Sequence, residues 1–151
     1  MPGRRILLAV IALLLGSPCC AQPEADRFAP AGIAEAAARS MLEALQSGVR
    51  SDDRAKVADL IEYPLRVNNS HTHRLISDRG EFLSNYTKVF TSEIRQQVLE
   101  QSFDDLFVSW RGVMIANGAV WFSGVCDAAS TPGTCKHPRV RVIAVNLDAP
   151  R

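Results

Sequence analysis

The chain has 151 residues, of which 47% are hydrophobic and 22% charged, and its 17 basic and 16 acidic residues give a formal net charge of +1 at pH 7. This near-neutral balance argues against a nucleic-acid-binding surface, because phosphates require clustered lysine and arginine. It equally argues against docking on an anionic membrane through a basic patch.

The N-terminal segment has the layout of a secretory signal peptide. Arg4 and Arg5 precede an apolar run over residues 6–15, and Gly16-Ser17-Pro18 and small residues up to Ala21 follow. A basic start, a short apolar centre and small residues at the cleavage point are typical of such a leader. We therefore predict cleavage near Ala21 and a periplasmic or secreted mature protein. The leader holds two arginines and no acid, so the mature chain has 15 basic and 16 acidic residues and a net charge of −1.

Two alternatives remain open for this segment. A retained membrane anchor would need roughly 20 apolar residues, which is more than the run provides. Lipidation at Cys19 or Cys20 would attach a lipid to the mature N-terminus, although Pro18 fits poorly before a lipidated cysteine.

Beyond the leader, the chain divides into three parts. Pro23 and the lack of apolar periodicity predict a flexible lead-in over residues 22–31. A single domain follows over residues 32–147, a length that suits one hydrophobic core, and residues 148–151 form a tail. No second apolar run of spanning length exists, so no membrane association is expected after cleavage.

Two helices open the predicted domain. Apolar residues recur every four positions from Ile33 to Leu45, which predicts an amphipathic helix ending near Gly48. Ser51 is the candidate N-cap of a second, shorter helix. The pair Tyr63-Pro64 ends this second helix. Its apolar face consists of Val57, Leu60 and Ile61.

Short strands and further helices follow. Residues 65–68 alternate in polarity as a strand does, and after a turn residues 71–76 return as a partner strand. Asp78, with Glu81 three residues later, forms a capping box that opens a helix. Thr91 is the candidate cap of the next helix.

The last third of the chain is predicted to be a three-stranded antiparallel meander. Arg111-Gly112 interrupts its first strand, which predicts a β-bulge at that point. Asn117-Gly118 lies between apolar runs and predicts a tight hairpin, because both residue types tolerate positive φ. The strands of the meander are residues 106–115, 119–125 and 140–146.

Two cysteines remain in the predicted mature chain, Cys126 and Cys135. An exported protein meets an oxidising compartment, so we predict a disulfide between them. Redox-active pairs are usually spaced as Cys-x-x-Cys, which this pair is not. The disulfide is therefore expected to be structural.

Helices grouped on one face of a curved antiparallel sheet make an α+β domain. The element order, residues 63–68 (Tyr-Pro-Leu-Arg-Val-Asn) and the block over residues 106–122 resemble a largely uncharacterised group of exported bacterial proteins. That group is similar to the NTF2-like superfamily, also described as cystatin-like or SnoaL-like. The resemblance spans residues 33–146 and implies a cone, with N-terminal helices packed on a curved sheet.

The resemblance also implies a conical pocket lined by inward-pointing side chains. Arg66, Tyr86, Trp110 and Trp121 are the candidates for this lining. An arginine among aromatic rings suits a carboxylate or another planar anion. The alternative interpretation is that the rings fill the core and the arginine is solvated on a strand.

No catalytic residue, cofactor or metal ion is predicted. Ketosteroid-isomerase-like enzymes of the superfamily use a carboxylate base, and no predicted pocket-facing strand carries an Asp or Glu. His71 and His73 share one side of a strand, and His137 would be a third metal ligand. No acid lies beside the pair to orient the rings, so we expect no metal there.

We therefore expect an exported, non-enzymatic domain that binds a small molecule or a partner protein. The first alternative is a small hydrolase, isomerase or dehydratase that uses Tyr63, Arg66 or a histidine in the pocket. The second is an inhibitor or immunity-type interaction protein. The resemblance alone implies that a homodimer through the sheet is a further interaction to consider.

Overall fold

The computed structural model describes residues 26–127, 135 and 138–150. The predicted signal peptide and His137 lie outside these residues. Within the described part, no helix is both long and apolar enough to cross a membrane. The α-helices are α1 (Glu35–Arg50), α2 (Arg54–Asp59), α3 (Arg79–Ser84), α4 (Tyr86–Val89) and α5 (Ser92–Glu100). The strands are β1 (Ile61–Asn68), β2 (His73–Ile76), β3 (Phe107–Ser109), β4 (Gly112–Ile115), β5 (Val120–Val125) and β6 (Arg139–Asn146).

The first helix is confirmed, and the second differs from the prediction at both ends. Asp53 caps α2, because its side chain accepts the backbone N–H of Lys56 at 2.9 Å. Ser51 was predicted for that role, but its hydroxyl donates to the carbonyl of Ser47 at the end of α1. Ile61 belongs to β1 and not to the helix, because it pairs with β6.

The predicted caps of the later helices are confirmed. The Asp78 side chain accepts the N–H of Glu81 at 2.9 Å, and the Glu81 carboxylate reaches back to the N–H of Ser77 at 2.7 Å. Thr91 Oγ1 accepts the N–H of Ile94 at 3.3 Å and opens α5. These bonds satisfy backbone N–H groups that a helix start otherwise leaves unpaired.

The domain is α+β, as predicted, but its sheet is mixed and open. The strand order is β2-β1-β6-β5-β4-β3, and β1 runs parallel to β6 while every other pair is antiparallel. The prediction of a wholly antiparallel sheet is therefore wrong. A long crossover separates β1 from β6 in the chain, and such a connection allows parallel pairing where a short hairpin does not.

The C-terminal meander has four strands where three were predicted. The expected bulge at Arg111-Gly112 is wrong, because the chain reverses there and Ser109 pairs with Gly112 across the new hairpin. Gly112 has φ +129°, and a Cβ at this position would lie 2.6 Å from the carbonyl oxygen of Phe122. Only glycine fits this turn, so the residue marks a reversal and not a bulge.

The hairpin predicted at Asn117-Gly118 is confirmed. Asn117 has φ +53° and Gly118 has φ +95°, and Ile115 pairs with Val120 on either side. The connection also uses Ala116, so it is longer than a two-residue turn. It places the start of β5 beside the end of β4.

The core lies between the helices and one face of the sheet, and it begins earlier in the chain than predicted. Phe28 has no exposed surface, and its ring lies 5.3 Å from that of Phe103. Arg27 donates to the carbonyl oxygens of Phe103 and Asp104 at 2.6 and 3.0 Å. The lead-in is therefore anchored from Asp26 onward, because one buried aromatic ring fixes a segment that has no periodicity.

The predicted disulfide is confirmed. Cys126 and Cys135 are joined, with 5.8 Å between their Cα atoms. Cys126 directly follows β5, and Cys135 precedes β6. The bond therefore links the adjacent ends of two neighbouring strands.

Candidate binding surface on the open face of the sheet

Six residues lie opposite one another across the whole sheet, one on each strand. The residues that flank Trp121 in β5, Val120 and Phe122, have no exposed surface. Side chains alternate along a strand, so the six residues occupy the face turned away from the core. We call this set the open-face row. In sheet order it consists of Leu75, Arg66, Ala144, Trp121, Met114 and Phe107.

The two ends of the open-face row expose large apolar side chains. Leu75 is 54% exposed and Phe107 is 53% exposed, while Trp121, Ala144 and Met114 are half-buried. From Ala144 to Phe107 the row is apolar at four consecutive positions, and contiguous exposed apolar surface marks interaction sites. The row therefore makes the open face a candidate surface for binding.

A chain of hydrogen bonds fixes the polar part of this face. Arg66 Nε donates to Asn68 Oδ1 at 2.8 Å, and Asn68 Nδ2 donates to Asn146 Oδ1 at 2.7 Å. Asn146 Nδ2 then donates to the carbonyl oxygen of Gly118 at 2.6 Å. Trp121 Nε1 donates to the same carbonyl at 3.1 Å. The arginine and the indole are thus both held by one network that crosses three strands and a hairpin.

Arg66 and Trp121 line one depression of about 370 Å³. A second arginine, Arg111, reaches it from the turn between β3 and β4. No acidic residue lines the depression, and within the described residues neither arginine forms an ion pair. The remaining lining residues are Asn68, Ile143, Ala144 and Asn146.

A neighbouring depression of about 410 Å³ shares Trp121 and the two bonded asparagines with the first. Its far side is closed by Asp148, whose carboxylate accepts from the hydroxyl of Ser70 at 2.8 Å. This hydrogen bond holds the first residue of the predicted tail in place, and the tail forms part of this surface. Together the two depressions make a shallow groove along the open face.

Of the four predicted lining residues, the structure brings Arg66 and Trp121 together. Trp110 is 78% exposed on the β3–β4 turn, where the guanidinium of Arg111 lies 5.0 Å from its ring centroid. Trp110 does not line the depression, whereas Arg111, the next residue in the sequence, does. These residues meet on the outer face of the sheet, whereas the resemblance implied an inner pocket.

Tyr86 is separate from this group. It is 1% exposed, stacks on Phe90 with ring centroids 5.8 Å apart and meets Phe82 edge-on. Its hydroxyl has no hydrogen-bond partner among the residues that the structure describes, and burial raises its pKa. Tyr86 lines neither depression, so its ring serves as core packing.

Tyr63, His71 and His73, which were considered for catalysis or metal binding, do not line either depression. The Tyr63 hydroxyl donates to the carbonyl of Ala58 at 3.1 Å, and burial raises its pKa to about 12. His71 and His73 are exposed, and no group of three metal-ligating side chains occurs among the described residues. A phenol with such a pKa stays protonated at neutral pH.

Sequence reasoning missed Arg111, Asn68 and Asn146. A signal existed for the asparagines, because each lies two positions from a residue of the open-face row, Arg66 or Ala144, on the same strand. Arg111 was not predicted as a lining residue, because Gly112 was interpreted as a β-bulge within one strand and not as part of a turn. Recognising the turn would have placed this arginine at the end of a hairpin.

The chain was also compared with known proteins. No protein-family model matches it, and neither does any curated protein or any solved structure. The geometry of the open face therefore carries the functional argument.

Proposed function

We propose that this protein is an exported, periplasmic domain of the NTF2-like type that binds a partner protein without catalysis. The observation that carries the proposal is the open-face row, which crosses all six described strands and exposes apolar side chains at both ends. Helices grouped on the other face, and an α+β order in which the first α-helix is long, support the superfamily assignment. An inhibitor or immunity factor would be one form of such a partner-binding protein.

The shape of the groove favours a protein over an enclosed small molecule. Both depressions open directly to the surface along the sheet, and the aromatic rings on the other side are packed against each other. Ligand pockets that enclose small molecules usually bury most of the ligand surface. A broad face with exposed Leu75 and Phe107 instead resembles the apolar centre of a protein interface.

The chemistry of the groove favours binding over catalysis. The depression around Arg66 has no carboxylate or histidine in its lining that would act as a general acid or base. Tyr63 and Tyr86 both have raised pKa values and lie away from it. The catalytic alternative therefore lacks a proton-transfer group beside the arginine.

Site-specific photo-crosslinking in the producing cell tests the proposal. A benzoylphenylalanine is placed at position 107 or position 75, at the two ends of the open-face row. The matched control is position 99, because Leu99 is also an exposed apolar residue but lies on α5. We expect a discrete adduct from positions 107 and 75 and none from position 99.

The captured protein is then purified and its affinity measured directly. Met114→Glu places a charge in the apolar part of the row, between Trp121 and Phe107, and should weaken binding by about tenfold or more, whereas Leu99→Glu should not. An adduct of twice the chain mass would identify a homodimer and overturn the proposal of a different partner. Equal adducts at all three positions would overturn the assignment of the open face.

A further inference from the structure

Arg66 and Arg111 are two of the arginines of the described chain that form no ion pair. Ion pairs involve Arg39, Arg54, Arg79, Arg95 and Arg139. Of the arginines without an ion pair, Arg66 and Arg111 alone line this depression, and no acidic residue lines it. Two positive charges gathered in one concave site without a counter-charge favour an anionic occupant.

The hydrogen bond made by Arg66 Nε leaves the two terminal nitrogens of its guanidinium available to a ligand. Its Nε is engaged by Asn68 at 2.8 Å, and no described residue accepts a hydrogen bond from its terminal nitrogens Nη1 and Nη2. Asn68 is itself held by Asn146, so the arginine is oriented before any ligand arrives. Such a fixed fork matches the two oxygens of a carboxylate and loses little conformational entropy on binding.

The position of Arg111 is also constrained. It lies in a turn of which Gly112 is part, its backbone N–H donates to Ser109 Oγ at 3.3 Å, and its guanidinium lies over the ring of Trp110. Trp121, Ile143 and Ala144 supply an apolar floor between the two arginines. An apolar floor excludes water and strengthens a charge-assisted hydrogen bond.

We infer that Arg66 and Arg111 together receive the carboxylate of an aspartate or glutamate side chain of the partner, while Trp121 packs against the stem of that side chain. This inference rests on the proposed function and names the chemistry of the partner. A carboxylate fits better than a nucleic-acid backbone, because the predicted mature chain is close to neutral overall.

The test uses benzoate as the probe and benzamide as its uncharged isostere, each titrated into the purified mature protein. The chain has two tryptophans, so its NMR spectrum contains two indole N–H signals, and Trp110→Phe identifies the one from Trp121. We expect benzoate to shift the Trp121 indole and the Arg66 Nε–H signals saturably. Benzamide should bind at least about tenfold more weakly, since it lacks the charge.

Variants connect this binding to the two arginines. Arg66→Gln and Arg111→Gln should each weaken benzoate binding by about tenfold, and the double variant should abolish it. Arg74→Gln is the matched control, because Arg74 is exposed on β2 and forms no ion pair among the described residues. Equal affinity for benzoate and benzamide would overturn the inference, as would the same loss in Arg74→Gln.

Different experimental results would overturn the carboxylate assignment and the proposed protein-binding function. A partner captured through positions 107 and 75 that binds Arg66→Gln/Arg111→Gln with unchanged affinity would overturn the carboxylate assignment alone. Saturable benzoate binding without any crosslinked partner would overturn the protein-binding function, and with it the assignment to a protein side chain.

Discussion

The two faces of the sheet are made from the same strands but have opposite characters. On β5, Phe122 has no exposed surface, while Trp121 beside it is half-buried on the open face. On β1, Leu65 and Val67 are buried on either side of exposed Arg66. The core face is filled with apolar side chains that stabilise the fold. The open face carries large and charged side chains, some of them exposed.

The largest effect on stability is expected on the core face, and two adjacent residues of β5, Phe122 and Trp121, compare the two faces directly. Phe122→Ala should lower the free energy of unfolding by about 3–5 kcal/mol, because it leaves a cavity in the core. Trp121→Ala should cost less, about 1–2 kcal/mol, since this ring lies on the open face and is partly exposed. Urea denaturation of both variants measures the difference. Equal losses would mean that the open face is as structural as the core.

An intermediate effect is expected from ionising the tyrosines of the core side. Burial raises the pKa of Tyr63 from its ordinary value near 10 to about 12, and burial also raises the pKa of Tyr86. The unfolded chain releases these protons at lower pH than the folded chain does. The free energy of unfolding should therefore be unaffected below pH 10 and fall as the pH rises from 10 towards 12.

Denaturation midpoints across this range, together with phenolate absorbance, measure that alkaline loss. Tyr63→Phe removes one of the two titrating groups and should make the loss smaller. Ring ionisation at the ordinary tyrosine pKa, with no accompanying change in stability, would contradict the burial of these hydroxyl groups.

The smallest effects on stability are expected in the polar network of the open face. Asn146→Ala should cost about 1 kcal/mol, because the Asn68 amide loses its acceptor. Arg66→Ala should change stability by less than about 0.5 kcal/mol, since its side chain is exposed. Both variants should nevertheless weaken benzoate binding, which separates function from stability. A large loss of stability in Arg66→Ala would identify the arginine as structural.

The sequence was informative wherever one local pattern decides the structure. The spacing of apolar residues in α1, the caps at Asp78 and Thr91 and the Asn117-Gly118 hairpin all depend on neighbours in the chain. The α+β class followed from the order of these elements. The cysteine pair was predicted because only two cysteines follow the predicted signal peptide.

What the sequence could not provide depends on contacts between distant residues. The parallel pairing of β1 with β6 and the burial of Phe28 are set by tertiary packing. Arg66 and Trp121 were both predicted as lining residues. The alternation of side chains along a strand, however, does not show which face of the sheet is covered by helices. Their location on the open face, beside Arg111, required the three-dimensional structure.

The place of β6 in the sheet has a consequence for how the protein reaches its folded state. This strand is the last in the described chain, yet it lies between β1 and β5, and it bonds to β1 across 78 residues of sequence. Until β6 is present, β2-β1 and β5-β4-β3 are two separate fragments with unpaired inner edges. Completion of the sheet must therefore wait for the C-terminal strand, since long-range pairing forms late. During synthesis, this order leaves the sheet incomplete until the last described strand has emerged.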